Sequence, residues 1–338
     1  MIVIVVFALG SALLYGIADF MGGVASRRVS VLLATTINYA LASVVLVITL
    51  LAVGGVWSAP AVIGGLVAAV FAAVGFLTFY AALAAGPISL MSPLMALLSS
   101  AVPVIVALVL GDQLRPIAWI AIVVAIAGSV MIGIERRVST RGARPRTLLF
   151  AVIAGLGLGG ATVALDAVPE EAGMVPVFLD TTVGFVLLLA LVGLAPRVPA
   201  LRRLLASLDA HGPVPVAVPA RADEPSSLAA DPVPEPDPVP EPDPAPEPDP
   251  APDAVTLAVA RRRALLLAAG AGVLVGGANV LLMVALHAGS VAVVAVLVNL
   301  YPVATVLLAW ILLRERVNAI QGTGIVLAVA ASVMLGLA

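Results

Sequence analysis

The chain has 338 residues, of which 62% are hydrophobic and only 11% are charged, and its mean hydropathy is +1.19. Soluble domains carry about 25% charged residues, so this composition excludes a soluble globular protein and predicts a membrane protein. The formal net charge is −2, and the absence of cysteine excludes disulfides and thiolate metal sites. With two histidines in the whole chain, we expect neither a metal nor a cofactor.

Ten apolar segments are each long enough to cross the hydrocarbon core of a bilayer, which takes roughly 20 helical residues. They predict an all-α polytopic membrane protein with ten transmembrane helices. In chain order the segments are 2–24, 31–53, 61–84, 88–110, 116–134, 148–167, 174–194, 264–286, 290–313 and 318–337.

An internal repeat relates the two halves of the chain. A shift of 203 residues places Asp112 on Glu315, and a shift of 147 residues places Asp19 on Asp166. Each repeat holds five helices, an odd number, so the second repeat enters the membrane inverted, as in secondary transporters with a midplane site. The predicted units are a first repeat at 1–135, a basic linker at 136–147, and a second repeat at 148–338 that a low-complexity loop at 195–262 interrupts.

The loop between helices 7 and 8 contains the run DPVPEPDPVPEPDPAPEPDPAP at residues 231–252. Alternating proline removes backbone donors and the acids repel each other, so this segment is predicted to be a disordered, extended, polyproline-like chain. We interpret it as a tether of variable length, and the alternative of a partner that binds the prolines is the less favoured one.

Both repeats end with an acid that precedes a helix rich in glycine or alanine. GDQLRPIAWIAIVVAIAGSVMIG holds Asp112, and RERVNAIQGTGIVLAVAASVMLG holds Glu315. Together with the five-plus-five arrangement, these ends resemble the EamA family of the drug/metabolite transporter superfamily. The resemblance implies a transporter that moves small metabolites, often outward, and commonly works by exchange or proton coupling. It implies no particular substrate, and YGIADF in helix 1 departs from the tryptophan-glycine pair of many relatives.

The distribution of arginine predicts the orientation. All 17 basic residues are arginines, and every one except Arg115 lies in a loop that follows an odd-numbered helix. Since arginine-rich short loops stay in the cytoplasm, we predict that the loop 195–262 is cytoplasmic and that both termini lie outside. The family resemblance implies inward termini instead, and we follow the arginines. The composition suggests the plasma membrane of a bacterium.

Three carboxylates lie in or near the predicted spans and are candidates for proton coupling. Asp180 is the deepest, and because a low dielectric disfavours its charged form, it could exchange a proton for a cationic or zwitterionic substrate. The alternative is a carboxylate capped by Thr181 or by helix-end amides near the outer surface. Asp19 and Asp166 fall at opposite membrane surfaces of an inverted repeat, as two gate-side carboxylates, with interfacial solvation as the alternative.

Neutral polar side chains in the spans could line a substrate cavity. The alternatives are hydrogen bonds that only hold the bundle together, for the asparagines, and interfacial anchoring or packing, for the tyrosines. The candidates are Tyr15, Asn38, Tyr80, Asn279, Asn299 and Tyr301.

These observations favour a secondary transporter that exports small metabolites by proton exchange, with an uptake or facilitated-diffusion carrier as the alternative. A scaffold that recruits partners through the proline loop is the alternative outside transport. An intramembrane enzyme is disfavoured because HExxH is absent and the histidines are His211 and His287. We expect a small-molecule substrate and the lipid bilayer as partners, no nucleic acid, and leave a homodimer open.

Overall fold

The computed structural model describes residues 2–109, 116–133, 145–209, 254–288, 297–298, 300–315 and 319–335. Asn299, Asp112 and the proline repeat at 231–252 therefore lie outside the described residues.

The described residues form helices joined by turns, with no strand among them. The turn before α7 contains a short 3₁₀ helix, Glu170–Ala172. The helices are α1 Ile2–Ser26, α2 Val31–Val53, α3 Ala59–Ala85, α4 Ile88–Val109, α5 Pro116–Gly133, α6 Pro145–Asp166, α7 Val175–Leu194, α8 Pro199–Asp209, α9 Ala254–Ala288, α10 Tyr301–Leu313 and α11 Ala319–Leu335.

Within the described part of the chain, six helices are long and apolar enough to cross a membrane, which confirms an all-α, multi-pass membrane protein. They are Val5–Ser26, Val31–Val53, Ala59–Ala85, Pro145–Asp166, Val175–Leu194 and Thr256–Ala285.

Helix α9 differs in extent from its predicted span. The 35 residues of α9 start at Ala254 rather than 264, and at 1.5 Å per residue they measure about 52 Å, well beyond a hydrocarbon core of about 30 Å. Within the predicted span 290–313, the described part holds the helical residues 297–298 and the 13 residues of α10, which measure about 20 Å. Residues 289–296 between them are outside the described part.

Helix α8 lies inside the region predicted as a low-complexity loop. Its leucines recur at helical spacing, and Leu205 and Leu208 are buried while Arg202 and Arg203 are exposed. The backbone N–H of Val31 donates to Asp209 Oδ1 at 2.7 Å, which fixes the end of α8 to the start of α2. The beginning of the loop is therefore an ordered amphipathic helix, too short at 11 residues to register as a span.

Small residues allow the helix backbones to approach closely, as expected where lipid supplies no hydrophobic drive between helices. A Cβ atom on Gly157 of α6 would lie 2.7 Å from the Cα atom of Gly75 in α3. A Cβ atom on Gly272 of α9 would lie 2.3 Å from the carbonyl oxygen of Asn38 in α2. Ser11 Oγ also donates to the carbonyl of Ala278 at 2.9 Å, which joins α1 to α9.

The connections gather at two ends of the bundle. We call one end the arginine face: it comprises turns 27–30, 86–87, 195–198 and 314–315, α8, the start of α6 and residues 254–263 of α9. These segments include all the arginines of the described residues. The other end, which we call the opposite face, comprises turns 54–58 and 167–174. Helices α1, α2 and α3, and likewise α6 and α7, thus run alternately from one face to the other.

Candidate functional site

The chain has four tyrosines, and all of them surround two aspartates inside the bundle. Asp19 lies within electrostatic range of three tyrosines, and Asp180 within range of two, with Tyr15 common to both. We call this group the aspartate–tyrosine cluster; its members are Tyr15, Asp19, Tyr39, Tyr80, Asp180 and Tyr301.

Helix α1 places Tyr15 and Asp19 on one face because residues four apart lie one above the other. The side chain of Asp19 is only 4% exposed. Asp19 precedes the end of α1 at Ser26 by about 10 Å, whereas Asp180 follows the start of α7 at the opposite face by about 8 Å. The two carboxylates therefore lie at different distances from the arginine face, and Tyr15 lies between them, roughly midway between the two faces.

The Asp180 carboxylate lacks a partner for one of its oxygens. Oδ1 is buried and has no hydrogen bond among the described residues. Thr181 is itself buried, and no hydrogen bond joins it to Asp180 in the described part of the structure. The geometry thus gives no support to the alternative in which Thr181 caps this carboxylate.

Two asparagines are bonded to cluster tyrosines, and one of these bonds joins the two halves of the chain. Tyr15 Oη donates to Asn279 Oδ1 at 2.6 Å, linking α1 to α9. Asn38 Nδ2 donates to Tyr80 Oη at 3.1 Å, linking α2 to α3. The structure therefore joins four of the candidates in two separate pairs, and hydrogen bonds of this kind also fit a purely structural role.

Glycines make room for two tyrosine rings. A Cβ atom on Gly22 would lie 2.3 Å from Tyr80 Cε1, and one on Gly184 would lie 2.5 Å from Tyr39 Cε1. The rings continue into an aromatic wall with Phe76, whose centroid is 5.7 Å from that of Tyr39 and 6.2 Å from that of Tyr80.

The backbone of Tyr301 also approaches α1 closely. A Cβ atom on Gly16 would lie 2.5 Å from the Tyr301 carbonyl oxygen. Thr305 Oγ1 donates to the Gly16 carbonyl at 3.0 Å, so α10 is held against α1 next to Tyr15. Tyr39 is the member of the cluster that the sequence-based cavity set leaves out.

Asp166 is not part of the cluster. It is the last residue of α6 and is exposed toward the opposite face. The repeat that pairs Asp19 with Asp166 in sequence therefore pairs one buried carboxylate with one exposed carboxylate. Among the described residues, no group of three or more histidine, aspartate or glutamate side chains could hold a metal ion.

A second polar constellation, which we call the Glu315 clasp, lies on the arginine face. The carboxylate of Glu315 accepts hydrogen bonds from the backbone N–H groups of Ile88 at 3.1 Å and Ser89 at 2.9 Å, and from Ser89 Oγ at 2.7 Å. Arg27 forms an ion pair with Glu315 at 3.4 Å and donates to the Gly86 carbonyl at 2.8 Å. Sequence reasoning used Glu315 only to align the repeats, and it missed this cap on α4.

Two of the cavities that open on the surface of the described residues have linings that include no member of the cluster. One, of about 450 Å³, lies on the arginine face and is lined by residues that include Arg27, Arg28 and Arg261. The other, of about 400 Å³, is apolar and lies between α3 and α6, with Ile63 and Val168 in its lining.

Comparison with known proteins gives a match to one family model. A model described as the EamA-like transporter family matches residues 2–134 and 254–337. No curated protein matches the chain. A solved structure described as "Crystal structure of protein" aligns with 98% of this chain and 95% of that chain at 16% identity and a TM-score of 0.49, a similarity too weak to carry an argument.

Proposed function

Because the chain belongs to the EamA-like transporter family, we propose that it is a secondary transporter that exports a small metabolite by proton exchange. The aspartate–tyrosine cluster is its coupling site and lies near the bilayer midplane between two inverted five-helix repeats. The observation that carries this proposal is that two carboxylates lie in apolar helices, with Tyr15 in electrostatic range of both. Asp19 is buried, and Asp180 is partly buried with its Oδ1 atom shielded from solvent.

The packing of the helices supports the inverted repeat. If α1, α2, α3, α4 and α5 correspond to α6, α7, α9, α10 and α11, each large contact should recur between the corresponding helices. The contact of α1 with α9 recurs as α6 with α3, that of α2 with α9 as α7 with α3, and that of α1 with α10 as α6 with α4. Helices α2 and α7, α4 and α10, and α5 and α11 contact their own counterparts. The exception is the contact of α4 with α11, because α5 and α10 make no comparable contact among the described residues. In this scheme α8 is an addition to the ten spanning helices.

Elementary electrostatics explains why such a site would couple protons to a substrate. A charged carboxylate in an apolar interior is costly unless a proton or another cation neutralises it. The Asp180 Oδ1 atom, buried without a hydrogen bond, is an acceptor for either. If the closed site must always hold either a proton or a cationic substrate, it exchanges protons for substrate across the membrane.

The decisive experiment is counterflow and pH-driven flux in proteoliposomes against a metabolite panel. Asp180→Asn keeps the shape of the side chain and removes its titration, so we expect a folded protein whose flux no longer responds to a pH gradient. The same measurement on Asp19→Asn and Asp166→Asn shows how much each of the other two candidates contributes to proton coupling. The matched control is Glu171→Gln, which changes an exposed carboxylate on the opposite face. Unchanged proton coupling in Asp180→Asn would refute the proposal, and accumulation in the reverse direction would favour the uptake carrier.

Orientation belongs to the same proposal. The arginine face is cytoplasmic and both termini lie outside the plasma membrane of a bacterium, because the described arginines all lie on that face. A reporter fused to the C-terminus and active only in the cytoplasm should be inactive. Activity of that reporter would instead support the inward termini that the family resemblance implies.

A further inference from the structure

We infer that the substrate bound at the aspartate–tyrosine cluster is a small organic cation with an ammonium-type centre. The inference rests on the proposed transport function and narrows it to one class of substrate. Three features of the cluster carry it: its net charge, its unfilled hydrogen-bond acceptor and its aromatic lining.

The net charge of the cluster is negative whenever its aspartates are ionised. The titratable groups that face Asp19 are Tyr15 from α1, Tyr80 from α3 and Tyr301 from α10. Those that face Asp180 are Tyr15 and, from α2, Tyr39.

No arginine faces either carboxylate among the described residues. Arg27, which follows Asp19 on the chain, bonds instead to the carbonyls of Leu83 and Gly86 and to Glu315 at the arginine face. An anion would find no positive partner in the cluster, and the carboxylate of a zwitterion would be repelled there.

The cluster contains one buried hydrogen-bond acceptor that has no partner among the described residues. Tyr15 bonds to Asn279 and Asn38 bonds to Tyr80, so these groups largely satisfy each other. Asp180 Oδ1 is buried without a hydrogen bond. Since buried polar atoms are nearly always paired, the missing partner is a donor or a cation.

The aromatic lining favours an organic cation over a metal ion. Tyr39, Phe76, Phe79 and Tyr80 form a continuous wall, with ring centroids 5.6 to 6.2 Å apart. Aromatic faces attract ammonium groups, and cages of tyrosine and phenylalanine are a known means of recognising quaternary ammonium ligands. A divalent metal instead needs several oxygen ligands at one point, whereas these two carboxylates lie at different depths.

The test is binding to the full chain in detergent, measured by calorimetry and by protection against thermal unfolding. The cationic probes are tetramethylammonium, choline and benzyltrimethylammonium. The matched neutral probe is 3,3-dimethylbutan-1-ol, which has the shape of choline without its charge, and glycine betaine is the zwitterionic probe. We expect at least one cation to bind and raise the unfolding temperature, and the alcohol and betaine to bind at least about tenfold more weakly.

Variants locate the binding. Asp180→Asn should weaken the cation at least about tenfold, because it removes the negative charge at the acceptor that has no partner among the described residues. Asp19→Asn should weaken the cation less, because the two carboxylates lie at different depths. Tyr80→Leu should weaken it by roughly tenfold, whereas Tyr80→Phe keeps the ring and should stay within about threefold. Glu171→Gln should leave the affinity unchanged. If Asp19→Asn does not fold, Asp180→Asn and the Tyr80 pair still decide the question.

Two outcomes would overturn the inference: equal affinity for choline and its neutral isostere, or no binding of any cation at about 10 mM while pH-driven flux of another metabolite persists. The second outcome leaves the proposed transport function intact. If cations bind but flux does not respond to a pH gradient, the cation site is supported and proton exchange is refuted.

Discussion

The two faces of the bundle are held together by different forces. On the arginine face, the Glu315 clasp and the bond from Val31 to Asp209 join helices distant in sequence through charged acceptors. On the opposite face, the contacts are apolar: Ala61, Ala172 and Val175 form a buried cluster, and the ring of Trp57 packs edge-on against that of Phe178 at 6.2 Å. Among the described residues the opposite face has no ion pair.

The difference matters because the two kinds of contact fail differently. A polar clasp depends on a few atoms, so one substitution can remove it. The partner that is left buried without a hydrogen bond then lowers the stability of the protein further. Small-residue packing is spread over many weak contacts and responds mainly to added volume. We therefore expect the arginine face to be sensitive to loss of a side chain and the opposite face to its enlargement.

The largest effect should come from Glu315→Ala. It leaves two N–H groups at the start of α4 and the half-buried Arg27 without their acceptor, and hydrogen bonds to charged groups are worth about 1.5–3 kcal/mol each. We expect a loss of about 3 kcal/mol in the free energy of unfolding, visible as a lower thermal midpoint in detergent.

The control for that experiment is Glu171→Ala, which removes an exposed carboxylate from the opposite face and should change stability by less than about 0.5 kcal/mol. Equal effects of the two substitutions would mean that the clasp contributes nothing and that the contrast between the faces is wrong.

The opposite face should respond next to Gly65→Ala. The added Cβ atom would lie 2.7 Å from Leu179 Cβ and 2.9 Å from the Pro176 carbonyl oxygen, and the backbone oxygen cannot easily move away. Overpacking of this kind costs about 1–3 kcal/mol, so we expect about 2 kcal/mol of destabilisation by the same unfolding measurement.

The matched control is Gly193→Ala in α7, where nothing lies within 4 Å of the added atom. There alanine should be neutral or should stabilise the helix by up to about 1 kcal/mol through propensity alone. Destabilisation of both variants by the same amount would point to a general intolerance of alanine and not to close packing of α3 on α7.

A smaller effect is expected from Asp209→Ala, which removes the acceptor that α8 provides for the first N–H of α2. Loss of a cap typically costs about 1 kcal/mol, and that is the expected change in the free energy of unfolding. Asp166→Ala, at the exposed end of α6, is the control and should not destabilise. If Asp209→Ala left the free energy of unfolding unchanged, the contact of α8 with α2 would contribute nothing to the stability of the arginine face.

The sequence predicted the parts of this molecule that depend on local composition. Apolar length alone identified α1 to α7 closely, because a bilayer imposes that length on every helix that crosses it. Helix α8 was missed because it is short and amphipathic, so no length rule applies to it. Asp19 and Asp180 could be selected as candidates because any ionisable group in an apolar span is costly.

What the sequence could not predict is how the helices rotate against one another. Tyr39 joins the cluster because α2 packs between α7 and α9, and no pattern within α2 specifies those neighbours. Glu315 caps α4 from a position 226 residues away from Ser89. Both depend on contacts between the halves of the chain, which a single sequence records only through the weak internal repeat.

The smallest effect should come from deleting residues 231–253, the proline repeat. Its flanking helices are each anchored on the arginine face near the start of α2, since Asp209 bonds to Val31 and Leu257 lines the cavity beside Ser30. Residues 210–230 would remain, and a chain of that length can reach roughly 70 Å when extended, so closing the shorter loop adds no strain. Loop-closure entropy changes by less than about 1 kcal/mol for such a shortening. We therefore expect unchanged membrane insertion, thermal midpoint and flux in the deletion variant, with a scrambled repeat of equal composition as the control.

Loss of flux in the deletion with insertion intact, and its rescue by the scrambled segment, would indicate a role for the charge of the segment. Loss of flux in both variants would indicate that the sequence of the segment is recognised.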